Sequence, residues 1–392
     1  MHDPTAILLV RSAMMVLLFA AVSVVAQDGP RARDLGIPFD GTPGLLNAIT
    51  DVAGVEVGFT TLISGSGKQV VGQGPVRTGV TAVLPRGKED PDPVFAGWYA
   101  LKGNSEMTGT TWVEESGLLE APVMITNTHS VGVVRDAVVR WRVQHGGADS
   151  YRRRWLLPVV AETWDGELND SNGFHVKPED ALHALNSASS GAVAEGNVGG
   201  GTGMICHGFK GGTGTASRRI SAKQGGYTVG VLVQCNYGVQ SELRIAGIPV
   251  GRELPPAIPA KADTGSIIAA LATDAPLLPH QLRRLARRVP LGLGRMGSYA
   301  ADGSGDIFIA FSTANPGAWG SGAVKPVAML PNNAMDPLFL ATVQSVEEAV
   351  VNAMIAARTM KGINDFEVWA IPHAELQQVL KKYNRLVEPG AP

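Results

Sequence analysis

A glycine and a serine are adjacent at the start of a predicted apolar strand, in the segment Asp-Thr-Gly-Ser-Ile-Ile at 263–268. Just upstream, residues 255–261 contain three prolines, which disfavour regular structure. This arrangement suits an amidohydrolase that cleaves itself, because Gly265 lets the scissile carbonyl adopt a strained geometry and Ser266 attacks it. Cleavage makes Ser266 a new N-terminus, whose α-amine (pKa about 7.7–8.0) is placed to act as base for its own hydroxyl. Taken alone, the dipeptide is more typical of a turn.

Other side chains suited to acyl transfer occur at the ends of further predicted strands. Glycines on both sides of Ser304 let its hydroxyl approach a neighbouring group, and Asp306 follows two residues later. Asn236 ends a strand, and its amide can donate to an oxygen that becomes negative. Glu162 could pair with a protonated substrate amine, and Trp164 can donate a hydrogen bond but not accept one. Turns and strand ends explain the same residues without chemistry.

Seven segments in chain order resemble the L-aminopeptidase/D-esterase-amidase family, which includes the β-peptidyl aminopeptidases. They lie at 162–170, 196–204, 209–218, 231–238, 265–268, 272–280 and 303–308. The resemblance extends from about Leu35 to Leu386, and its motifs are specific only in combination. Members of this family are N-terminal serine hydrolases that cut themselves into two chains. The resemblance therefore implies cleavage between Gly265 and Ser266, into a larger chain 27–265 and a smaller chain 266–392 of one domain.

The resemblance also implies a role for each candidate residue. Ser266 becomes the nucleophile, and Asn236 supplies the oxyanion hole. Ser304 and Asp306 orient the N-terminal amine and help to move its proton, while Glu162 anchors the substrate amine.

Two positions depart from the pattern of relatives. Some relatives carry a tyrosine where this chain has Trp164, which indicates a differently shaped substrate pocket. Where this chain has Asp306 we expect glutamate in at least some relatives, and the aspartate reaches about one methylene less far.

Hydrophobic periodicity predicts a layered α/β fold. Strands are expected at 80–84, 122–126, 228–234, 267–272 and 306–312, and helices at 133–145, 178–188 and from a capping box at Ser345. The family resemblance implies an α-β-β-α sandwich of the Ntn-hydrolase kind, with two stacked sheets between helix layers. The connector at 255–261 then marks a processing boundary within one core.

The first 26 residues read as a signal peptide, with Arg11 before a short apolar run and small residues at the end. We therefore expect a periplasmic or secreted protein with no membrane anchor after signal removal. Export permits a disulfide between Cys206 and Cys235, but each could equally be a small buried hydrophobe. The arginines at 283, 284, 287 and 288 share one helix face, which we interpret as a solvated or inter-subunit surface.

Composition and motifs exclude several classes of function. A net charge of −2 gives no bias toward nucleic acid. The glycine clusters at 196–203 and 208–214 fit neither a Walker nor a dinucleotide pattern, so close backbone packing explains them better. The eight histidines show no metal-binding spacing. We expect no metal and no cofactor.

We therefore predict an exported, self-processing N-terminal serine aminopeptidase that hydrolyses N-terminal aminoacyl amides, peptides or esters through an acyl-enzyme on Ser266. The resemblance adds a homo-oligomer of processed pairs. The alternatives are an acyltransferase on a related fold and a catalytically silent periplasmic binding or assembly protein. No spacing argument distinguishes L-, D- and β-amino acid substrates.

Overall fold

The computed structural model describes residues 29–145, 155–258, 265–320 and 324–388. The predicted signal peptide and residues 259–264, which include the end of the connector, lie outside the described residues. In chain order the strands are β1 Glu56–Ser64, β2 Val76–Leu84, β3 Val94–Ala100, β4 Leu118–Leu119, β5 Val123–Asn127, β6 Val159–Thr163, β7 Ile205–Cys206, β8 Phe209–Lys210, β9 Gly212–Arg219, β10 Thr228–Asn236, β11 Ser266–Thr273, β12 Ile307–Ser312, β13 Met360–Lys361 and β14 Glu367–Val368. The helices are α1 Thr110–Ser116, α2 Val131–His145, α3 Pro178–Asn186, α4 Pro279–Ala286, α5 Val289–Arg295, α6 Asp336–Ile355 and α7 His373–Lys382.

Two mixed sheets form the centre of the fold. One has the strand order β1-β2-β5-β6, and the other has the order β4-β3-β12-β11-β10-β9. Within them β5 pairs in parallel with β6, and β11 in parallel with β12. The carboxyl ends of β5 and β6 therefore meet at one edge, as do the amino ends of β11 and β12. Polar residues beyond these ends are brought together by this topology.

Side-chain alternation along β11 shows how the second sheet is buried on both faces. Ile268, Ala270 and Ala272 pack against β5 and β6 in the core between the two sheets. Ile267, Ala269 and Leu271 belong to the opposite core, which α4 and α6 cover. Because successive strand residues point to opposite faces, both faces require apolar residues.

Helices α2 and α3 close the outer face of the first sheet around Trp141 and Leu185. The layers therefore run helix, sheet, sheet, helix, which confirms the predicted sandwich. The five predicted strands all form, with bounds that differ by at most a few residues.

The predicted start of the long helix at Ser345 is wrong. Helix α6 begins at Asp336, with Pro337 in its first turn where the missing N–H costs nothing, and Ser345 lies buried in its interior. The acidic residue of the supposed capping box, Glu348, instead accepts hydrogen bonds from Arg33 and Arg218. By length and composition helix α6 is apolar enough to cross a membrane. However, 83% of its most apolar 18-residue stretch is buried inside the protein, where the helix packs on the second sheet.

The arginine cluster beside α4 has partners within the chain. Arg283 pairs with Glu114, and Arg287 lies over the ring of Tyr99. Arg284 and Arg288 both lie over the ring of Phe339. These contacts join α4 to its neighbours in the same chain; a role of this face between subunits stays a prediction.

Candidate active site

Ser266 and Asn236 lie directly opposite each other at the joined ends of β11 and β10. Both side chains point to the same face of the sheet as Ile268, the face toward the core between the sheets. Both are about 6% exposed. Directly opposed residues of an antiparallel pair have Cβ atoms about 4.5–5.5 Å apart. The proposed nucleophile and oxyanion donor are thus neighbours by strand register.

Gly265 presses against the same strand end. A Cβ placed on Gly265 would lie 1.9 Å from the carbonyl oxygen of Asn236 and 2.9 Å from Cα of Tyr237. Neither contact is with a flexible side chain, so no other residue fits there without moving the backbone. The sequence therefore needs glycine before the serine for a packing reason.

Ser304 and Asp306 form a hydrogen-bonded pair at the amino end of β12. The Ser304 hydroxyl donates to Asp306 Oδ1 over 2.6 Å, and both residues are almost completely buried. The same oxygen accepts from the backbone N–H of Ile267 over 3.3 Å. Because β11 and β12 are parallel, Asp306 reaches the residue that follows Ser266. The pair is therefore placed beside the proposed new N-terminus.

Glu162 is held at the carboxyl end of β6 by three donors from other segments. Its Oε1 accepts from the Ser105 hydroxyl and from the backbone N–H of Glu106, the latter over 2.9 Å. Its Oε2 accepts from the Thr128 hydroxyl. The carboxylate is 4% exposed, so these hydrogen bonds fix its orientation. Glu162 is therefore held in a fixed position, as is expected of a carboxylate that binds a cation.

The loop that carries Ser105 also contacts the Ser304–Asp306 turn. Asn104 Nδ2 donates to the carbonyl oxygen of Gly303 over 2.9 Å. A Cβ on Gly305 would lie 2.3 Å from both the Asn104 oxygen and Ser105 Cβ, so glycine permits this approach. One loop thus links the carboxylate of Glu162 to the acidic turn beside Ser266.

The amide of Asn236 is oriented on both sides. Its Oδ1 accepts from the backbone N–H of Ile205 over 2.8 Å, and its Nδ2 donates to the carbonyl oxygen of Trp164 over 2.9 Å. An amide nitrogen carries two hydrogens, so the Trp164 contact accounts for one of them. Cys206 and Cys235, the neighbours of Ile205 and Asn236, form a disulfide. The open question about the cysteines is therefore resolved in favour of the bond.

An exposed aromatic cluster stands beside these groups. Trp164 is 41% exposed and its ring lies edge-on to His129, 5.4 Å between centroids, while His129 stacks on Phe174 at 5.9 Å. The next residue, Asp165, is buried and accepts hydrogen bonds from Asn127 and Ser171, and burial raises the pKa of its carboxyl. The buried aspartate fixes the loop, which leaves the Trp164 ring on the surface.

Sequence reasoning missed Ser105 and Thr128. Thr128 follows Asn127 at the end of β5, which pairs in parallel with β6, so the meeting of their carboxyl ends could have indicated it. Ser105 lies in a loop without a recognisable pattern, and nothing in the sequence alone indicates its contact with Glu162.

The glycine clusters pack as backbone rather than as a phosphate cradle. A Cβ on Gly200 would lie 2.1 Å from Oε1 of Gln234, and one on Gly201 would lie 2.3 Å from the nitrogen of Thr213. Across the described ranges, no three His, Cys, Asp or Glu side chains converge as a metal site.

Comparisons with known proteins show which family the chain resembles. Beta-peptidyl aminopeptidase BapA of Sphingosinicella microcystinivorans is 57% identical, over 95% of this chain and 96% of that protein. Its namesake from Sphingosinicella xenopeptidilytica is 47% identical, over 94% of this chain and 95% of that protein.

A solved structure shows the same fold. The L-aminopeptidase D-Ala-esterase/amidase of Ochrobactrum anthropi, described as a prototype serine aminopeptidase with a variant Ntn hydrolase fold, matches with a TM-score of 0.86 and 52% identity, covering 91% of this chain and 100% of that one. The profile of peptidase family S58 matches residues 47–368. The chain therefore belongs to peptidase family S58 and is a serine-type aminopeptidase, as the sequence resemblance predicted.

Proposed function

We propose that the protein is an exported aminopeptidase that cleaves itself before Ser266 and then uses this residue as an N-terminal nucleophile. The observation that carries the proposal is the register of Ser266 with Asn236, with Gly265 packed against the strand end. Nucleophile, oxyanion donor and scissile bond are thereby supported by one pair of strands.

Self-cleavage would proceed by an N-to-O acyl shift. The Ser266 oxygen attacks the carbonyl carbon of Gly265, the C–N bond breaks, and the nitrogen of Ser266 gains a proton to become an amine. Water then hydrolyses the ester, which leaves a carboxylate on Gly265 and restores the hydroxyl of Ser266. Asp306, which is hydrogen-bonded to the N–H of Ile267 and to Ser304, is placed to orient the new amine.

Turnover of substrate would repeat this chemistry. The α-amine of Ser266 takes the hydroxyl proton as the oxygen attacks the substrate carbonyl, and the amine gives that proton to the leaving group. The second hydrogen of Asn236 Nδ2 stabilises the developing oxyanion. Water then releases the acyl group. The precursor lacks the free amine and is therefore expected to be inactive.

Glu162 would bind the protonated amine of the substrate, so cleavage occurs next to a free N-terminus. The preferred substrates are N-terminal aminoacyl amides, peptides or esters, and Trp164 would contact the substrate on the exposed side. Because two relatives are named beta-peptidyl aminopeptidases, β-aminoacyl amides are the first substrates to compare with L- and D-α-aminoacyl amides.

The disulfide supports export, because such bonds persist in oxidising compartments. The leader-like first 26 residues point the same way. Assembly of processed pairs into a homo-oligomer stays a prediction, as does the periplasmic or secreted location. The acyltransferase alternative uses a threonine nucleophile on a related fold, and this chain has Ser266.

The test is a Ser266→Ala variant assayed on aminoacyl p-nitroanilides. It is expected to remain one uncut chain and to show no turnover, because both the nucleophile and the amine base are absent. Ser221→Ala, at an exposed turn between β9 and β10, serves as the matched control and is expected to be cleaved and active. Activity in the Ser266→Ala protein would refute the proposal.

A further inference from the structure

Lys210 is a lysine in the interior of the protein, and within the part of the chain that the structure describes its amine is paired with no acidic side chain. The side chain is fully buried, and its Nζ donates to two backbone carbonyls, those of Met204 over 2.9 Å and Gly211 over 2.7 Å. Burial lowers the pKa of this amine to about 7. Lysine is almost never fully buried unless it is paired, so this position requires an explanation.

The two atoms of one peptide bond join Lys210 to the oxyanion asparagine. The carbonyl oxygen of Met204 accepts from Lys210, and the N–H of Ile205, on the same planar peptide, donates to Asn236 Oδ1 over 2.8 Å. Hydrogen bonds in a chain polarise one another, by perhaps 10–30% per bond. A donor on the Met204 carbonyl makes the Ile205 N–H a stronger donor, and this in turn strengthens the Asn236 Nδ2 hydrogens.

We propose that Lys210 is a positioning residue for catalysis, which orients and polarises the Asn236 amide through the Met204–Ile205 peptide. This inference rests on the proposed function, because it presumes that Asn236 faces the oxyanion. Lys210 does not touch the substrate and acts only through the peptide and the asparagine.

The hydrogen bonds from Lys210 to the Met204 carbonyl and from the Ile205 N–H to Asn236 are called the relay below. The hairpin that carries Lys210 holds this relay in place. Strands β7 and β8 pair with each other, and the disulfide from Cys206 to Cys235 fastens β7 to the strand that ends in Asn236. The backbone N–H of Lys210 donates to the carbonyl oxygen of Trp369 over 2.7 Å, which fixes the other side of the hairpin. A lysine needed only to hold the hairpin would affect stability, whereas the relay affects the transition state.

The experiment compares Lys210→Met with the unmodified enzyme after both have cleaved themselves, with rates normalised to the processed fraction. We expect kcat to fall about tenfold with little change in KM, less than the 10²–10³-fold typical of losing an oxyanion donor. The inhibition constant of an aminoalkyl boronic acid, which mimics the tetrahedral state, should rise by the same factor. An unchanged kcat would overturn the inference.

Two further variants make the result specific. Phe209→Leu disturbs the apolar core beneath the same hairpin without touching the relay, and it should lower thermal stability while kcat stays near that of the unmodified enzyme. An equal loss of kcat in Phe209→Leu would overturn the inference. Lys210→Gln, which is polar and one bond shorter, tests the same contact if the methionine variant does not fold, and is also expected to lose kcat rather than KM.

Asn236→Ala separates this inference from the proposed function. If Asn236→Ala loses kcat and neither Lys210 variant does, the relay is wrong and the assignment of Asn236 stands. If Asn236→Ala is fully active, both the oxyanion assignment and the relay are wrong.

Discussion

Asn236 is the residue opposite Ser266 in the antiparallel pairing of β10 with β11, the last residue of one strand facing the first residue of the other. The pairing has a mechanical consequence. A slip of either strand by one residue turns that strand's side chain to the opposite face of the sheet, away from its partner. The proposed nucleophile and the proposed oxyanion donor therefore depend on the core of the sandwich as much as on their own chemistry.

Replacing Gly265 with alanine is expected to slow self-cleavage strongly, because the new Cβ would lie 1.9 Å from the carbonyl oxygen of Asn236. The measurement is the fraction of chain cut over time, read from a denaturing gel. Gly132→Ala, where a Cβ meets nothing within 4 Å, is the matched control and should be cut at the normal rate. Equal rates in the two variants would show that the packing of Gly265 is irrelevant to processing.

Trp164→Ala is expected to raise KM on the order of tenfold for substrates with large apolar side chains, the size of losing one apolar contact. The kcat should change little, because the backbone carbonyl that holds Asn236 remains. Trp155→Ala removes another surface indole, 40% exposed against 41% for Trp164, and should leave KM unchanged. A uniform effect on small and large substrates would argue against a substrate contact.

The disulfide is expected to stabilise the fold by about 3.5 kcal/mol, because it closes a loop between cysteines 29 residues apart. A double variant, Cys206→Ala with Cys235→Ala, should therefore unfold at lower urea concentration. Thiol titration of the unreduced, denatured protein should find no free thiol. Two titratable thiols per chain in protein purified from an oxidising compartment would contradict the bond.

Lys210 should make stability depend on pH. Its pKa is about 7 when folded against 10.5 as the ordinary value, so between these values the unfolded chain binds more protons than the folded one. The free energy of unfolding therefore rises with pH across that window. Below pH 7 this group no longer makes it change with pH. Lys210→Met lacks this contribution. Urea unfolding at pH 7, 8 and 9 should show the free energy of unfolding of the unmodified protein rising relative to that of Lys210→Met. A difference that stays constant with pH would refute the prediction.

The sequence predicted the layered fold because its strands are apolar on both faces and its helices carry clear start and stop residues. The long helix α6 shows the limit of that approach. Ser345 and Glu348 match a capping box, but the apolar residues before them continue the helix back to Asp336. Burial and ion pairs with Arg33 and Arg218 explain Glu348, and those arginines are far away in the sequence.

The candidate site was predictable only in part. Ser266, Asn236, Ser304 and Asp306 all stand at ends of strongly apolar strands, so their positions at a sheet edge follow from local pattern. That Asn236 faces Ser266 depends on strand pairing, which local sequence does not specify. Lys210 could not be identified, since a lysine in a glycine-rich segment suggests an exposed turn until its burial is known.

The most direct test of the account is the mass and N-terminal sequence of the purified mature protein. We expect two chains, the smaller beginning Ser-Ile-Ile at Ser266, and modification of that same serine by a serine-reactive inhibitor. A single uncut chain with full aminopeptidase activity, or a cut at any other bond, would contradict it.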